Sequence, residues 1–353
     1  MVKLDKLEVT VLGASGMAGQ EYLKLLSKHP FFEVKHITGK SSVGKKLKEV
    51  VKFDEDKIDE SLLEMTIEKT DVESMKSDLF FSALPTNEAL YIEQELAKRG
   101  FKVISDASAY RMESDVPLVI PEVNPDHLAL IEVQKRRRGW SGFIVTTPNC
   151  TTVGLAIVLK PIYDHFGIEE VVVTTMQALS GAGYPGVPSL DIIANVIPYI
   201  ENEEEKVSNE ALKILGTLEK DSIKPANISI NVSCNRVSTV NGHLESVFLK
   251  TRKSFSIEEV KNVLASFKGK PQLLKLPSAP ENVIILDERK DRPQPRLDCM
   301  AGSVAGMSVV VGRLRKASSQ NSLMLTLLSN NVVRGAGGGA VLTAELMFAE
   351  NML

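Results

Sequence analysis

An apolar run, Leu7 to Leu12, passes directly into glycines at positions 13, 16 and 19 and then into an amphipathic helical pattern. Few folds accommodate that order. A strand that ends in a glycine-rich turn and opens a helix is the first unit of a dinucleotide-binding α/β domain. One glycine makes the tight turn, one lets a pyrophosphate approach the backbone, and one lets helix and strand pack closely. The helix start adds free amides and partial positive charge. Phe32 to Thr38, Leu79 to Ala83, Lys102 to Ser105 and Phe143 to Thr147 continue as strand-like runs, with helical patterns reaching about Lys28 and covering about Asn87 to Lys98. This alternation predicts a Rossmann-type, doubly wound parallel sheet over residues 1–149.

After Cys150 the texture changes. Glu170 to Gln177, Ile228 to Ser233, Ser246 to Lys250, Val283 to Leu286, Ser308 to Leu314 and Leu323 to Leu328 are strand-like, with few helices between them. They predict an α+β second domain over 150–330 with a mixed, mostly antiparallel sheet. Helices are expected near Glu203 to Leu218 and Ile257 to Phe267, the latter opened by a Ser256/Glu259 capping box. A glycine run, 335–339, leads into a helix from about Ala340 to Met352, and the segment 331–353 is expected to pack back on the first domain.

At 353 residues two domains are expected. A hydrophobic fraction of 43%, a charged fraction of 25% and a net charge of −3 are globular values, with no basis for a nucleic-acid or membrane-surface partner. No apolar stretch approaches the ~20 residues that span a bilayer, and Met1 to Lys6 leave no room for a signal peptide before the first strand. The basic run Lys135-Arg136-Arg137-Arg138 reads as a solvated helix end rather than a phosphate site. Cys150, Cys234 and Cys299 are odd in number and far apart, so neither a disulfide framework nor a metal cluster is expected, and a reducing cytoplasm fits.

Cofactor choice turns on the end of the second strand. An NAD site usually carries Asp or Glu there for the ribose hydroxyls. Here the strand ends Ile37-Thr38-Gly39-Lys40-Ser41-Ser42. Lys40, Ser41 and Ser42 suit an additional ribose phosphate, so NADP is expected, held by the turn residues Gly13, Ala14, Ser15, Gly16 and Met17. An exposed loop lysine is the competing reading of Lys40, and it leaves NAD open.

Thr146-Thr147-Pro148-Asn149-Cys150-Thr151-Thr152 is the most informative stretch. A strand ends before it and an apolar helical pattern follows, placing Cys150 at a helix N-terminus, where dipole and amides favour a thiolate. Those amides and the Asn149 side chain are expected to serve a developing oxyanion. Cys234, in an alternating strand, and Cys299, in a loop, read as inert. A nucleophilic sulfur beside a nicotinamide suggests attack on an activated acyl group, loss of a leaving group, and reduction of the thioester to an aldehyde. That chemistry needs a proton partner near neutral pH, the range of histidine. His29, His36, His127 and His165 read as packed or solvated. His243 follows Asn241-Gly242 in a sharp turn, with Arg236 seven residues earlier on the same irregular strand.

Taken together, the glycine turn, Asn149-Cys150-Thr151, the stretch from Gln177 to Gly186, Arg236 with His243, and Asn331 to Ala336 resemble the aspartate-semialdehyde dehydrogenase family across essentially the whole chain, in its archaeal and fungal style. The resemblance implies reduction of L-aspartyl 4-phosphate to L-aspartate 4-semialdehyde with NADPH and release of phosphate, on the route to lysine, diaminopimelate, methionine and threonine. It implies Cys150 as nucleophile, His243 as general acid/base, and Gln177 as the residue orienting the acyl group. Arg236 would hold the substrate carboxylate, while Arg111, Glu203 and Lys206 would line the phosphate region. Ser82, Ala83, Leu84, Pro85, Ser180, Gly181, Gly183 and Asn331 would contact the cofactor. A homodimer or homotetramer is also implied, with the second sheet at the subunit contact.

Two readings compete inside the family. Malonyl- or succinyl-CoA reductases use the same cysteine but release CoA; retention of Asn149 and of the Glu203 to Lys206 run favours the phosphate substrate. N-acetylglutamyl-phosphate reductase fits the residues around Cys150 and Gln177 less well. Outside it, a thiol hydrolase or a redox-sensing module leaves the conjunction of dinucleotide turn, helix-start cysteine and carboxylate-clamping arginine unexplained.

Overall fold

A computed structural model describes residues 6–52 and 54–353; Met1 to Asp5, on which the signal-peptide expectation partly rests, lie outside the described residues. The first sheet contains β1 (Leu7–Leu12), β2 (Phe32–Gly39), β3 (Glu68–Lys69), β4 (Leu79–Ser82), β5 (Lys102–Ser105) and β6 (Phe143–Thr146), in the order β3-β2-β1-β4-β5-β6. Every neighbouring pair is parallel. Strand order reverses between β1 and β4, which opens a crevice at the carboxyl ends of those strands. Helices α1 (Met17–Leu26), α2 (Thr86–Lys98) and α3 (Leu130–Arg138) accompany this sheet. α1 stops two residues before the expected Lys28, because Lys28 adopts a left-handed φ of 57° that a right-handed helix cannot include. The basic end of α3 is neutralised within the chain, Arg136 on Asp221 and Arg138 on Asp115.

α4 (Cys150–Phe166) leads from β6 into the second sheet. That sheet is built from β7 (Ile168–Gln177), β10 (Ser229–Arg236), β11 (His243–Thr251), β12 (Ile284–Asp287), β13 (Val309–Lys316) and β14 (Ser322–Ser329), with a small hairpin of β8 (Thr217–Leu218) and β9 (Ile223–Lys224) apart from it. Its order is β10-β7-β11-β14-β13-β12; the central pairings are antiparallel, while β10 with β7 and β12 with β13 run parallel. Alternate residues of β7 and β11 are buried against α4, and this face grades from apolar (Val171, Val173, Val247, Leu249) to polar (Thr175, Gln177, Glu245, His243) toward the start of α4. α5 (Glu203–Ile214) ends before the expected Leu218, because Gly216 interrupts it and Thr217–Leu218 pairs as β8. α6 (Ile257–Ala265) starts at the Ser256/Glu259 capping box.

α7 (Gly338–Ala349) is buried on nearly all sides, and its apolar residues share one core with Val9, Val11, Tyr22 and Phe32 of the first sheet and α1. Its buried Glu345 meets His29 Nε2 at 2.8 Å and accepts from the Ser278 hydroxyl at 2.5 Å.

Candidate active site

Cys150 is the first residue of α4, and its position follows from the cap before it. The Asn149 Oδ1 accepts from the amides of Thr151 (2.9 Å) and Thr152 (3.4 Å), a helix N-cap that fixes where the first turn begins. The same side chain donates through Nδ2 to Glu203 at 2.9 Å, and the Asn149 main-chain amide donates to Glu210 at 2.6 Å. The other oxygen of Glu210 accepts from Arg111 Nη1 at 3.1 Å. One side of α5 thus anchors the start of α4. The expectation that the Thr151 and Thr152 amides and the Asn149 side chain would be free for an oxyanion is corrected: the cap and Glu203 already engage these groups.

The sulfur of Cys150 lies 3.2 Å from His243 Nε2. The ring is fully buried, and its Nδ1 accepts from the Ala178 amide at 3.1 Å. The Ala178 carbonyl in turn accepts from Arg236 Nη1 at 2.6 Å. Arg236 and His243 are not on one strand, as the sequence spacing suggested. Arg236 ends β10 and His243 begins β11, with β7 between them. Gln177, the last residue of β7, stands between the two and is buried, its amide donating to the Thr175 hydroxyl at 3.3 Å.

Burial dominates the electrostatics. It pushes the Cys150 thiol up to about 12, with the Glu203 carboxylate adding and Arg111 and Arg236 opposing. The helix start therefore does not suffice to make a resting thiolate, which corrects the sequence expectation. Burial, reinforced by the Arg236 cation, lowers His243 to about 3, so the imidazole is neutral at physiological pH. Alkylation of Cys150 in the ligand-free protein is accordingly expected to accelerate about tenfold per pH unit from about pH 7 to about pH 10. Mass spectrometry of the peptide carrying Cys150 measures it; a rate that is flat above neutrality would mean a thiol already ionised.

Around this pair runs a cleft lined by Gly16, Met17 and Ala18 at the start of α1, by Ala83, Asp106, Arg111, Asn149 and Cys150, by Ser180, Gly181 and Gly183, and by Asn331, Val332, Gly335 and Ala336. The dinucleotide turn and the sulfur therefore face one space. Gly13 takes φ +75°, and a Cβ there would lie 2.7 Å from the Ala83 carbonyl oxygen; one on Gly19 would lie 2.3 Å from the Gly13 oxygen. The turn tolerates no side chain at either place, and α1 begins with amides that have no intrahelical partner. Asn331 links two walls of the cleft, accepting from the Gly242 amide and donating to the Ser180 hydroxyl, both at 2.8 Å.

The ribose-phosphate corner is divided. Ser42 is buried with an unpartnered hydroxyl close to Gly39, whereas Ser41 is exposed. Lys40 is 82% exposed and pairs with Glu88 at 2.7 Å, so its charge is already answered by the first turn of α2. Ser82 is fully buried at the end of β4, Leu84 is buried, and Pro85 caps α2. Ala14 is buried and Ser15 half-buried in the turn. No carboxylate stands at the end of β2, and the residues present fit an NADP-type dinucleotide.

On the substrate side, Arg111 spends both terminal nitrogens within the chain, on Glu210 and on the Asp106 carbonyl. Arg236 commits only Nη1 to a protein acceptor among the described residues. Lys206, one turn along α5 from Glu203, is half-exposed, forms no ion pair among the described residues, and does not line the cleft. The sequence reading missed Glu210, although Glu203, Val207, Glu210, Ala211 and Ile214 form one buried helical stripe whose two carboxylates could have been read from the spacing. It also missed Lys213, which donates to the carbonyls of Arg111, Glu113 and Val116 and which burial lowers to about 8. No local pattern announces the fully buried Glu122–Arg334 pair at 2.6 Å, which ties the 331–337 segment to the loop before α3. Among the described residues no cluster of metal-ligating side chains occurs.

Residues 8–131 match the family described as semialdehyde dehydrogenase, NAD binding domain, and residues 159–334 match semialdehyde dehydrogenase, dimerisation domain. An aspartate-semialdehyde dehydrogenase of Methanothermobacter thermautotrophicus is 48% identical over 343 residues, covering 96% of this chain and 98% of that protein. A malonyl CoA reductase (NADP) of Metallosphaera sedula is 42% identical over 345 residues, covering 97% and 96%. The crystal structure of aspartate semialdehyde dehydrogenase with NADP from Candida albicans superposes with a TM-score of 0.89 at 36% identity, over 98% of this chain and 100% of that one. With the dinucleotide turn and the cysteine facing one cleft, the histidine packed behind the sulfur, and such relatives over nearly its full length, the chain belongs to the aspartate-semialdehyde dehydrogenase family.

Proposed function

We propose that this chain reduces L-aspartyl 4-phosphate to L-aspartate 4-semialdehyde with NADPH, releasing phosphate, through a thioester on Cys150. The observation that carries the reading is the placement of the Cys150 sulfur, 3.2 Å from His243 and in the same cleft as the glycine turn. Bound there, the dinucleotide supplies hydride to the acyl carbon. The chain's own residues do the rest. Arg236 offers a planar, two-pronged donor to the substrate carboxylate, Gln177 orients the acyl group, and His243 answers charge on sulfur and oxygen. Arg111 and Glu203 border the phosphate region, with Lys206 the uncommitted cation of the same helix.

The division into 1–149 and 150–330, with 331–353 returning to the first part, belongs to this proposal. So do a homodimer or homotetramer joined through the second sheet, a cytoplasmic setting, and a place in lysine, methionine and threonine synthesis. Among the described residues no helix is long and apolar enough to cross a membrane.

The test runs the reaction backwards with two substrate pairs. NADPH absorbance should grow with aspartate semialdehyde, phosphate and NADP⁺, and stay flat with malonate semialdehyde, CoA and NADP⁺. The opposite pattern would transfer the chain to the CoA-reductase reading that the Metallosphaera relative represents.

A further inference from the structure

The carboxyl end of β2 closes the place where an NAD site would carry its acid. A carboxylate that holds ribose hydroxyls stands about 20 residues beyond the glycine turn. Gly39 occupies that position, and a Cβ on it would lie 2.8 Å from the Ser42 hydroxyl oxygen and 2.9 Å from a methyl carbon of Ile67. A side chain there would have to displace both neighbours. Glu68, paired with Thr38 in the sheet, is turned to His36 Nδ1 at 3.1 Å. A carboxylate nevertheless reaches this corner from the other side of the crevice. Glu88, in the first turn of α2, meets Lys40 Nζ at 2.7 Å. Lys40 follows β2 and Glu88 follows β4, with β1 between those strands, so the pair bridges over the end of β1 where the glycine turn begins. Lys40 is 82% exposed and Glu88 31%; an ion pair so open to water is weak and readily exchanged. The buried, unpartnered hydroxyl of Ser42 adds a donor to the same corner.

We propose that Glu88 sets the cofactor preference of this chain by competing with the 2′-phosphate of NADP for Lys40. This selectivity rests on the NADP reading of the cleft and is independent of the chemistry at Cys150. With NADP present, the Lys40 ammonium has two anions to choose between, the Glu88 carboxylate and the ribose phosphate. NAD carries a hydroxyl in place of that phosphate, so it leaves the Lys40–Glu88 pair intact and meets no competition. Two effects act in the same direction. Glu88 engages the cation, and its own negative charge repels a phosphate brought to Lys40. Both weaken as ionic strength rises, because the pair faces solvent. The acid therefore moderates the advantage of NADP over NAD, and its removal sharpens that advantage.

Fluorescence titration of the whole protein with NADPH and with NADH, in the absence of substrate, tests this. Both side chains are open to solvent, so neither substitution threatens the fold. At low salt, Glu88→Gln should tighten NADPH binding about 3- to 10-fold and change NADH binding less than about twofold. In about 1 M salt the gain for NADPH should fall below about twofold. Lys40→Ala should weaken NADPH binding about tenfold. Adding Glu88→Gln to that variant should then bring a smaller gain than it does with Lys40 in place. An NADPH affinity that is unchanged or lower in Glu88→Gln overturns the proposal, and so does an equal tightening of NADH. Unaltered NADPH affinity in Lys40→Ala overturns it as well, because the lysine would then not meet the phosphate. Failure of both nucleotides to bind the unsubstituted protein would instead remove the cofactor reading itself, so the two failures are separable.

Discussion

Replacement of Cys150 by alanine is expected to abolish turnover, with a fall in kcat of about 10⁴-fold or more, while NADP binding persists. The size follows from the loss of the covalent route: without sulfur there is no acyl-enzyme, and neither His243 nor any other described side chain is placed to substitute. Retained cofactor affinity follows from the geometry, since the turn from Gly13 to Met17 and the first amides of α1 form a separate wall of the cleft. Steady-state rates with aspartate semialdehyde and phosphate, together with a fluorescence titration of NADPH, check both halves. Loss of cofactor binding in step with activity would mean that the cysteine serves the dinucleotide site rather than the chemistry.

The second large effect is expected at a residue with no side chain. Gly335 packs its backbone on the cysteine: a Cβ there would stand 2.7 Å from the Cβ of Cys150, 2.9 Å from its Cα and 3.0 Å from its carbonyl oxygen. Two of these atoms are main chain, so they cannot rotate away. Gly335→Ala must shift either α4 or the 331–337 segment, which is pinned by Arg334 on Glu122 and by the Gly335 amide on the Asn330 carbonyl at 2.9 Å. A displacement of the nucleophile by a fraction of an ångström to 1 Å costs about 10²-fold in rate. The variant should therefore fold, lose about 1–3 kcal/mol of stability through overpacking, and show kcat down about 100-fold with little change in NADPH affinity. Wild-type kcat in a folded Gly335→Ala protein would contradict the close packing on which this rests.

Both effects depend on parts of the site that differ in how far they could be read beforehand. The turn at Gly13, Gly16 and Gly19 and the start of α4 at Cys150 were legible because each is local: a strand, a turn and a helix follow one another within a few residues. The strands of the second sheet were legible from alternation, to within a few residues. Their order was not. Arg236 and His243, seven residues apart, were read as one strand, and only pairing with the distant β7 separates them and places Gln177 between. Charge partners are hidden in the same way. Lys40, expected at the ribose phosphate because donors and no carboxylate end the second strand, pairs with Glu88 from another segment, a partner the local sequence does not reveal. Asn149 was given to the oxyanion, although an asparagine before a helix is a strong cap signal, and the cap prevailed. The thiolate expectation weighed the helix dipole but not the cost of burying charge, which becomes visible only when β11, β10 and α5 close around the sulfur.

The homecoming of α7 sets a timetable for the ribosome. The pocket between α1 and β2, where Tyr22, Phe32 and Val34 await Ala340, Val341, Leu346 and Met347, cannot shut until every strand of the second sheet has been translated. A nascent chain therefore carries a sticky, half-built nucleotide fold until both sheets have been made, and α7, translated after them, is the helix that seals the first.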